Sequence, residues 1–129
     1  MKRVLIAEDE PSIVLSLEFL FTKAGYEVMT ATDGARALEL AAEHRPHLIV
    51  LDIMLPLVNG FEVCKALRAD AALSDIRVLI LTARRREHEV ARGLALGANA
   101  YLTKPFATRE LMKIVHDLLE HEPPVHGPA

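Results

Sequence analysis

Five side chains that can take part in chemistry follow short apolar runs, at points where a buried strand would stop. In chain order they are Glu8, Asp9, Asp52, Thr82 and Lys104. Short runs of branched apolar residues between helix-like segments are typical of parallel strands covered on both faces. Ligands bind at the carboxyl ends of the strands in such sheets. We therefore expect three carboxylates, a hydroxyl and a lysine to meet at one edge, a combination that suits a hard divalent cation and a phosphoryl group.

Asp52 is the candidate nucleophile, because the strand before it would fix its backbone. A carboxylate that attacks a phosphoryl group forms an aspartyl phosphate. This attack needs a cation, since both reacting groups are negatively charged. Glu8 and Asp9 could bind Mg²⁺, which prefers hard oxygen ligands. The main-chain carbonyl of about Met54 could supply a further oxygen.

The other polar groups at this edge suit phosphoryl oxygens. Lys104 can pair with them, and the hydroxyl of Thr82 can donate a hydrogen bond. The backbone amide of Ala83, where the next helix begins, could add a donor. Taken singly, Lys104 would be a solvated surface lysine and Thr82 an ordinary strand residue. The set of five at one sheet edge favours a functional site.

Strand-like and helix-like segments alternate five times, which predicts a five-stranded, doubly wound α/β sandwich. Pro11, Asp33 and the glycines at positions 25 and 97 are typical of helix ends. The predicted helices cover residues 11–24, 34–44, 61–69, 85–96 and 108–121.

Composition limits the class of protein. The chain has 129 residues, of which 51% are hydrophobic and 26% charged, and this is typical of one globular domain. No apolar run is long enough for a membrane span. Cys64 is the single cysteine, so an internal disulfide is excluded, and with no export signal we expect a cytoplasmic protein. The net charge of −3 gives no reason to expect direct nucleic-acid binding.

Four segments of the chain together resemble the marker segments of response-regulator receiver domains. They are Val-Leu-Ile-Ala-Glu-Asp-Glu-Pro at 4–11, Leu-Asp-Ile-Met-Leu-Pro at 51–56, Leu-Thr-Ala at 81–83 and Gly-Ala-Asn-Ala-Tyr-Leu-Thr-Lys-Pro-Phe at 97–106. The resemblance covers residues 2 to about 121. It implies the flavodoxin-like receiver fold, with a parallel sheet in the strand order 2-1-3-4-5.

The resemblance also implies a mechanism. A histidine kinase or histidine phosphotransfer protein would transfer a phosphoryl group to Asp52 with Mg²⁺ as cofactor, and Thr82 and Tyr101 would change position. The protein would not be an enzyme in the usual sense, since it would catalyse only its own phosphorylation and dephosphorylation. A cis peptide bond is implied between Lys104 and Pro105. Glu8 stands where the family frequently has aspartate.

One surface of the first helix is predicted to bind a partner. Helical spacing assigns a core face to Ile13, Leu17, Leu20 and Ala24. Leu15 and Phe19 fall on the opposite face and should be exposed, and exposed apolar neighbours indicate a binding patch. In similar receivers this helix docks the kinase, together with the loop that follows Lys104.

The sequence also gives expectations for the domain bounds and for the downstream partner. Residues 1–121 would form the receiver, and residues 122–129 a flexible tail or the stub of a linker. Receivers fused to winged-helix domains often carry dimer-forming charges where this chain has Asn99, Ile114 and His116. We therefore expect a stand-alone receiver, a monomer or a phosphorylation-dependent dimer, that binds a downstream protein around Tyr101. The alternatives are a fragment of a larger regulator or hybrid kinase, a phosphate-independent interaction module and, least favoured, a phosphoester hydrolase.

The lifetime of the phosphorylated state depends on side chains that admit or exclude water. Met54 is apolar, and the long cationic side chain of Arg84 could cover the phosphoryl group. Neither can position an attacking water. If these side chains do not simply point into solvent, the phosphorylated state should decay slowly.

Overall fold

The sheet consists of five parallel strands. The computed structural model describes residues 1–83 and 87–120. The strands are β1 (Arg3–Ala7), β2 (Glu27–Ala31), β3 (Leu48–Asp52), β4 (Arg77–Thr82) and β5 (Ala100–Thr103). Their order in the sheet is β2-β1-β3-β4-β5, and each neighbouring pair is parallel. The predicted doubly wound fold and its strand order are confirmed.

Helices connect successive strands and cover both faces of the sheet. They are α1 (Pro11–Lys23), α2 (Gly34–His44), α3 (Gly60–Ala69), α4 (Glu87–Ala95) and α5 (Thr108–Glu120). The side chain of Asp33 caps α2 by accepting from the amide of Arg36, as the sequence predicts. The predicted start of the fourth helix at Arg85 and the predicted tail at 122–129 lie outside the described residues. Within the described ranges, no helix is long and apolar enough to cross a membrane.

Two apolar layers hold the strands in place. Along β1, Leu5 and Ala7 belong to the layer under α2 and α3, whereas Val4 and Ile6 belong to the layer under α1 and α5. All residues of β3 are buried. Burial of each large apolar side chain contributes about 1.5–3 kcal/mol. The strands are therefore fixed elements, and residues at their carboxyl ends have well-defined positions.

The core face of α1 differs in part from the prediction. Leu17 is buried as expected, but Ala24 is exposed, so that part of the prediction is wrong. The helix ends at Lys23 and Ala24 is its C-cap residue, and Phe21, one turn beyond Leu17, fills the core position. Leu15 and Phe19 are 66% and 64% exposed, which confirms their predicted orientation.

Candidate functional site

Three carboxylates lie together at the carboxyl edge of the sheet. Asp52 is the last residue of β3 and is buried, and Glu8 follows β1 and is 1% exposed. Asp9, the next residue, is exposed. One carboxylate oxygen of each residue lies within 4.8 Å of the others. Hard oxygen donors at this spacing suit a divalent cation such as Mg²⁺.

The ammonium group of Lys104 contacts this acidic cluster. Its Nζ lies 2.6 Å from Oε1 of Glu8 and 3.7 Å from Oδ2 of Asp52. The backbone amide of Lys104 donates to the carbonyl of Thr82, which fixes the residue at the sheet edge. The following bond to Pro105 is cis, as the resemblance implied. The cluster carries more negative charge than Lys104 can balance, and this also favours a cation.

Glu8 is held by several donors. Its Oε1 accepts from Lys104, and its Oε2 accepts from the backbone amides of Asp9 at 3.0 Å and Glu10 at 3.3 Å. The amide of Glu8 itself donates to the carbonyl of Ala31 in β2. A buried charge needs such partners, because an unpaired one would be costly. The carboxylate of Glu8 is therefore fixed in one orientation.

Asp52 is fixed through its own oxygen and through the loop that follows it. Its Oδ1 accepts from the backbone amide of Met54 at 3.2 Å, while Oδ2 faces Lys104. Gly60 donates to the carbonyl of Ile53 at 2.9 Å. A Cβ on Gly60 would lie 2.6 Å from the carbonyl oxygen of Asp52, so only glycine permits this close approach. The loop therefore returns directly to the end of β3.

Thr82 ends β4 and is 4% exposed, next to the exposed Ala83. It pairs in register with Thr103, so the ends of β4 and β5 coincide. Ala83 and Lys104 line one side of a groove whose opposite side is formed by α1. Arg84 lies outside the described residues.

A family model for the response regulator receiver domain matches residues 4–116. The chain belongs to this family. Receiver domains are signalling domains of two-component systems.

Individual relatives agree with the family assignment. The alkaline phosphatase synthesis transcriptional regulatory protein PhoP of Bacillus subtilis (strain 168) is 46% identical over 118 residues, which is 92% of this chain and 48% of PhoP. The chain spans about half the length of the curated relatives it matches. The receiver therefore corresponds to one part of those longer proteins.

Solved structures are similar over nearly the whole receiver. Chemotaxis protein CheY4 of Vibrio cholerae is 35% identical with a TM-score of 0.87, over 92% of this chain and 99% of CheY4. The receiver domain of sensor histidine kinase PA1611 from Pseudomonas aeruginosa PAO1 is 28% identical with a TM-score of 0.85, over 93% of this chain and 98% of that one. That structure has a magnesium ion coordinated in its active-site cleft.

Tyr101 lies in β5 of the receiver, two residues before Thr103, and is half-buried. It pairs in register with Ile80 and packs against the apolar layer under α2 and α3. A Cβ on Gly93 of α4 would lie 3.7 Å from Cδ2 of Tyr101, so the helix passes close to the ring. The side chain is therefore placed between the sheet and α4.

Sequence reasoning missed the conformation of the loop after Asp52. Leu57 has a φ of +69° and is 81% exposed, and the amide of Val58 donates to the carbonyl of Pro56 across it. This is a γ-turn of the positive-φ type, which is strained for a leucine. Gly34 at the start of α2 donates to the same Pro56 carbonyl at 3.1 Å. The turn residues around Leu57 indicated a loop, but no residue type indicated a positive φ at a leucine.

Proposed function

We propose that this receiver is a phosphorylation-dependent switch that accepts a phosphoryl group on Asp52 from a histidine kinase or a histidine phosphotransfer protein. The observation that carries the proposal is the position of Lys104, whose ammonium group reaches both Glu8 and Asp52. A lysine so placed can bind the oxygens of a phosphoryl group attached to Asp52.

Asp52 would act as the nucleophile through a carboxylate oxygen. A bond forms between that oxygen and phosphorus, while the bond between phosphorus and the donor's imidazole nitrogen breaks and the imidazole leaves. Lys104 would neutralise charge on the phosphoryl oxygens. The hydroxyl of Thr82 and the amide of Ala83 would donate hydrogen bonds to them. The buried backbone of β3 supports this role, since it keeps Asp52 in one place.

Glu8, Asp9, Asp52 and the main-chain carbonyl of Met54 would hold the cofactor, Mg²⁺. The carboxylate oxygens fit this ion, because it prefers hard oxygen ligands. When bound, it supplies the positive charge that offsets repulsion between the carboxylate and the incoming phosphoryl group.

The output of the switch would be a protein contact around Tyr101, with Thr82 and Tyr101 changing position after phosphorylation. The close approach of α4 to the ring of Tyr101 supports this, since a movement of the ring would displace the helix. We still predict a stand-alone, cytoplasmic receiver that binds a downstream protein as a monomer or dimer.

A second candidate is that the receiver regulates further segments of a longer protein. The observation that favours it is the length of the curated relatives, which are about twice as long as the matched region. In that case any contact with nucleic acid would belong to those further segments. The gene sequence beyond the codon for Ala129 separates the two candidates.

Labelling with acetyl phosphate and Mg²⁺ tests the acceptor. Mass spectrometry should find one phosphoryl group on the unmodified protein and none on Asp52→Asn, because an amide does not form an acyl phosphate. Asp117→Asn, which changes an exposed carboxylate on α5, is the matched control and should be labelled normally. Labelling of Asp52→Asn at another carboxylate would contradict the assignment.

Two further measurements test the metal and the switch. Mg²⁺ should raise the thermal unfolding midpoint, because it relieves repulsion in the acidic cluster, and Asp9→Ala should remove most of this gain. Beryllofluoride with Mg²⁺ should perturb NMR signals of Thr82 and Tyr101. A phosphate-independent interaction module would leave those signals unchanged.

A further inference from the structure

Helix α4 is held to the rest of the domain by few buried side chains. It has nine residues, and among residues 89–95, whose exposure the structure describes, Gly93 is the buried one. A helix of this length is marginal on its own, and a glycine in its interior weakens it further. The position of α4 therefore depends on the small number of contacts that it makes.

Gly93 is the point at which α4 comes closest to the body of the domain. A Cβ there would lie 2.9 Å from Cδ1 of Ile80, 3.6 Å from Cε1 of Phe61 and 3.7 Å from Cδ2 of Tyr101. The backbone of the helix thus lies against the sheet and close to two aromatic rings. A displacement of α4 at this point changes its distance to both rings.

The guanidinium of the preceding residue, Arg92, lies over one of these rings. Its Cζ is 4.5 Å from the centroid of the Phe61 ring, within the range of a cation–π interaction. Arg92 is exposed, whereas Phe61 is 5% exposed. The exposed arginine thereby attaches α4 to an aromatic side chain of the core.

Phe61 is in turn connected to the main chain of the acceptor residue. It follows Gly60, whose amide donates to the carbonyl of Ile53 at 2.9 Å. A Cβ on Gly60 would lie 2.6 Å from the carbonyl oxygen of Asp52, so the start of α3 is in close contact with the end of β3. A rearrangement at Asp52 can therefore reach α4 through Phe61 as well as through Tyr101.

We infer that Arg92 is a positioning residue of the switch: its contact with Phe61 holds α4 in the arrangement of the phosphate-free protein and opposes the change that follows phosphorylation. The reason is that Gly93, the next residue, is also the point at which α4 approaches Tyr101. A movement of Tyr101 that displaces the helix there also carries Arg92 off the ring of Phe61. This inference rests on the proposed function and adds a residue to it.

Titration with beryllofluoride in excess Mg²⁺ tests the inference, with the NMR signals of Tyr101 as the readout. Arg92→Met removes the cation and keeps a long side chain, so the apparent affinity for beryllofluoride should rise about two- to fivefold. Arg92→Lys keeps a cation and should stay closer to the unmodified protein. Arg36→Met, which removes an exposed arginine from α2, is the matched control. Its affinity should be unchanged or slightly lower, because beryllofluoride is an anion and one positive charge is lost.

A double-mutant cycle assigns the effect to the aromatic ring. Phe61→Leu keeps an apolar side chain in the core but removes the ring, so Arg92→Met should cause no further rise in that background. An unchanged or lower affinity for Arg92→Met, or an equal rise in both backgrounds, would overturn the inference and leave the proposed function intact. Absence of any response of the unmodified protein to beryllofluoride with Mg²⁺ would overturn both.

Discussion

The backbone N–H of Arg3 donates a 2.9 Å hydrogen bond to Nδ1 of His47, at the edge of the sheet opposite the acidic cluster. The amide of His47 in turn donates to the carbonyl of Arg3 at 2.8 Å. An Nδ1 that accepts a hydrogen bond carries no proton. The geometry therefore requires an imidazole that is neutral, with its proton on Nε2.

Protonation of His47 should destabilise the fold. Partial burial lowers the pKa of this imidazole below its usual value, and the positive charges of Lys2, Arg3 and Arg77 lower it further. A histidine with a lowered pKa contributes stability above its unfolded pKa of about 6.5 and loses it as the pH falls through the folded value. The free energy of unfolding should therefore decrease as the pH is lowered from 7 towards 5.

Urea unfolding of His47→Asn at a series of pH values checks this expectation. The asparagine oxygen can accept from Arg3 without titrating, so the acid-side slope should become shallower. His44→Asn, an exposed histidine three residues earlier, is the matched control and should keep the original slope. An unchanged slope in His47→Asn would show that other groups cause the pH dependence.

Arg68 should be among the side chains on which stability depends most. It lies near the end of α3, and its guanidinium donates to main-chain carbonyls and to Oδ1 of Asn99. The carbonyls are those of Ser74, Ile76 and Gly97. Arg68→Ala would remove the guanidinium donor from the three carbonyls, while Oδ1 of Asn99 would keep the amide of Val78. We expect a loss of about 2–4 kcal/mol in the free energy of unfolding.

Arg36→Ala is the control for Arg68→Ala in urea unfolding. Arg36 is exposed on α2 and pairs with Glu39 one turn away, so its removal should cost less than about 1 kcal/mol. Similar losses for the two variants would mean that the hydrogen bonds of Arg68 contribute little net stability.

The exposed apolar patch on α1 should be needed for phosphotransfer from the kinase. Leu15→Asp with Phe19→Asp should impair labelling by a phosphorylated kinase, because a charged patch no longer matches an apolar partner surface. Labelling by acetyl phosphate should stay normal, since the acidic cluster is untouched. Leu94→Asp, at a half-exposed leucine on α4, is the control for an added charge. Equal loss of both labelling reactions would indicate misfolding instead.

Met54 and Arg84 should slow loss of the phosphoryl group. Met54 is 76% exposed beside Asp52, so its side chain would have to fold over an attached phosphoryl group to exclude water. Met54→Asn with Arg84→Glu introduces groups that can orient water, and the decay of labelled protein should become faster. The decay is followed by mass spectrometry after removal of acetyl phosphate. An unchanged rate in the double variant would mean that these side chains do not control access of water.

The sequence predicts the fold and the meeting of Glu8, Asp9, Asp52 and Lys104 for one physical reason. Apolar runs covered on both faces fix where strands end, and parallel strands end at one edge. Which carboxylate pairs with Lys104 depends on the distances between the side-chain ends. The spacing of residues in the sequence does not give these distances. Three of the acceptors of Arg68 are likewise main-chain carbonyls, and these are the same in every sequence. The three-dimensional structure is needed to determine which of these partners each side chain bonds.

Helix α2 runs from the carboxyl edge of the sheet to the opposite edge and is held by hydrogen bonds at both ends. At its start, Gly34 donates to Pro56, and a Cβ there would lie 1.7 Å from the carbonyl oxygen of Val58. At its end, the carbonyls of His44 and Arg45 accept from the guanidinium of Arg3. The helix therefore connects the loop after Asp52 to the opposite edge of the sheet. If phosphorylation of Asp52 displaces residues at the site, we expect the displacement to reach α4 and β5 more readily than α2, because movement of α2 would break these hydrogen bonds.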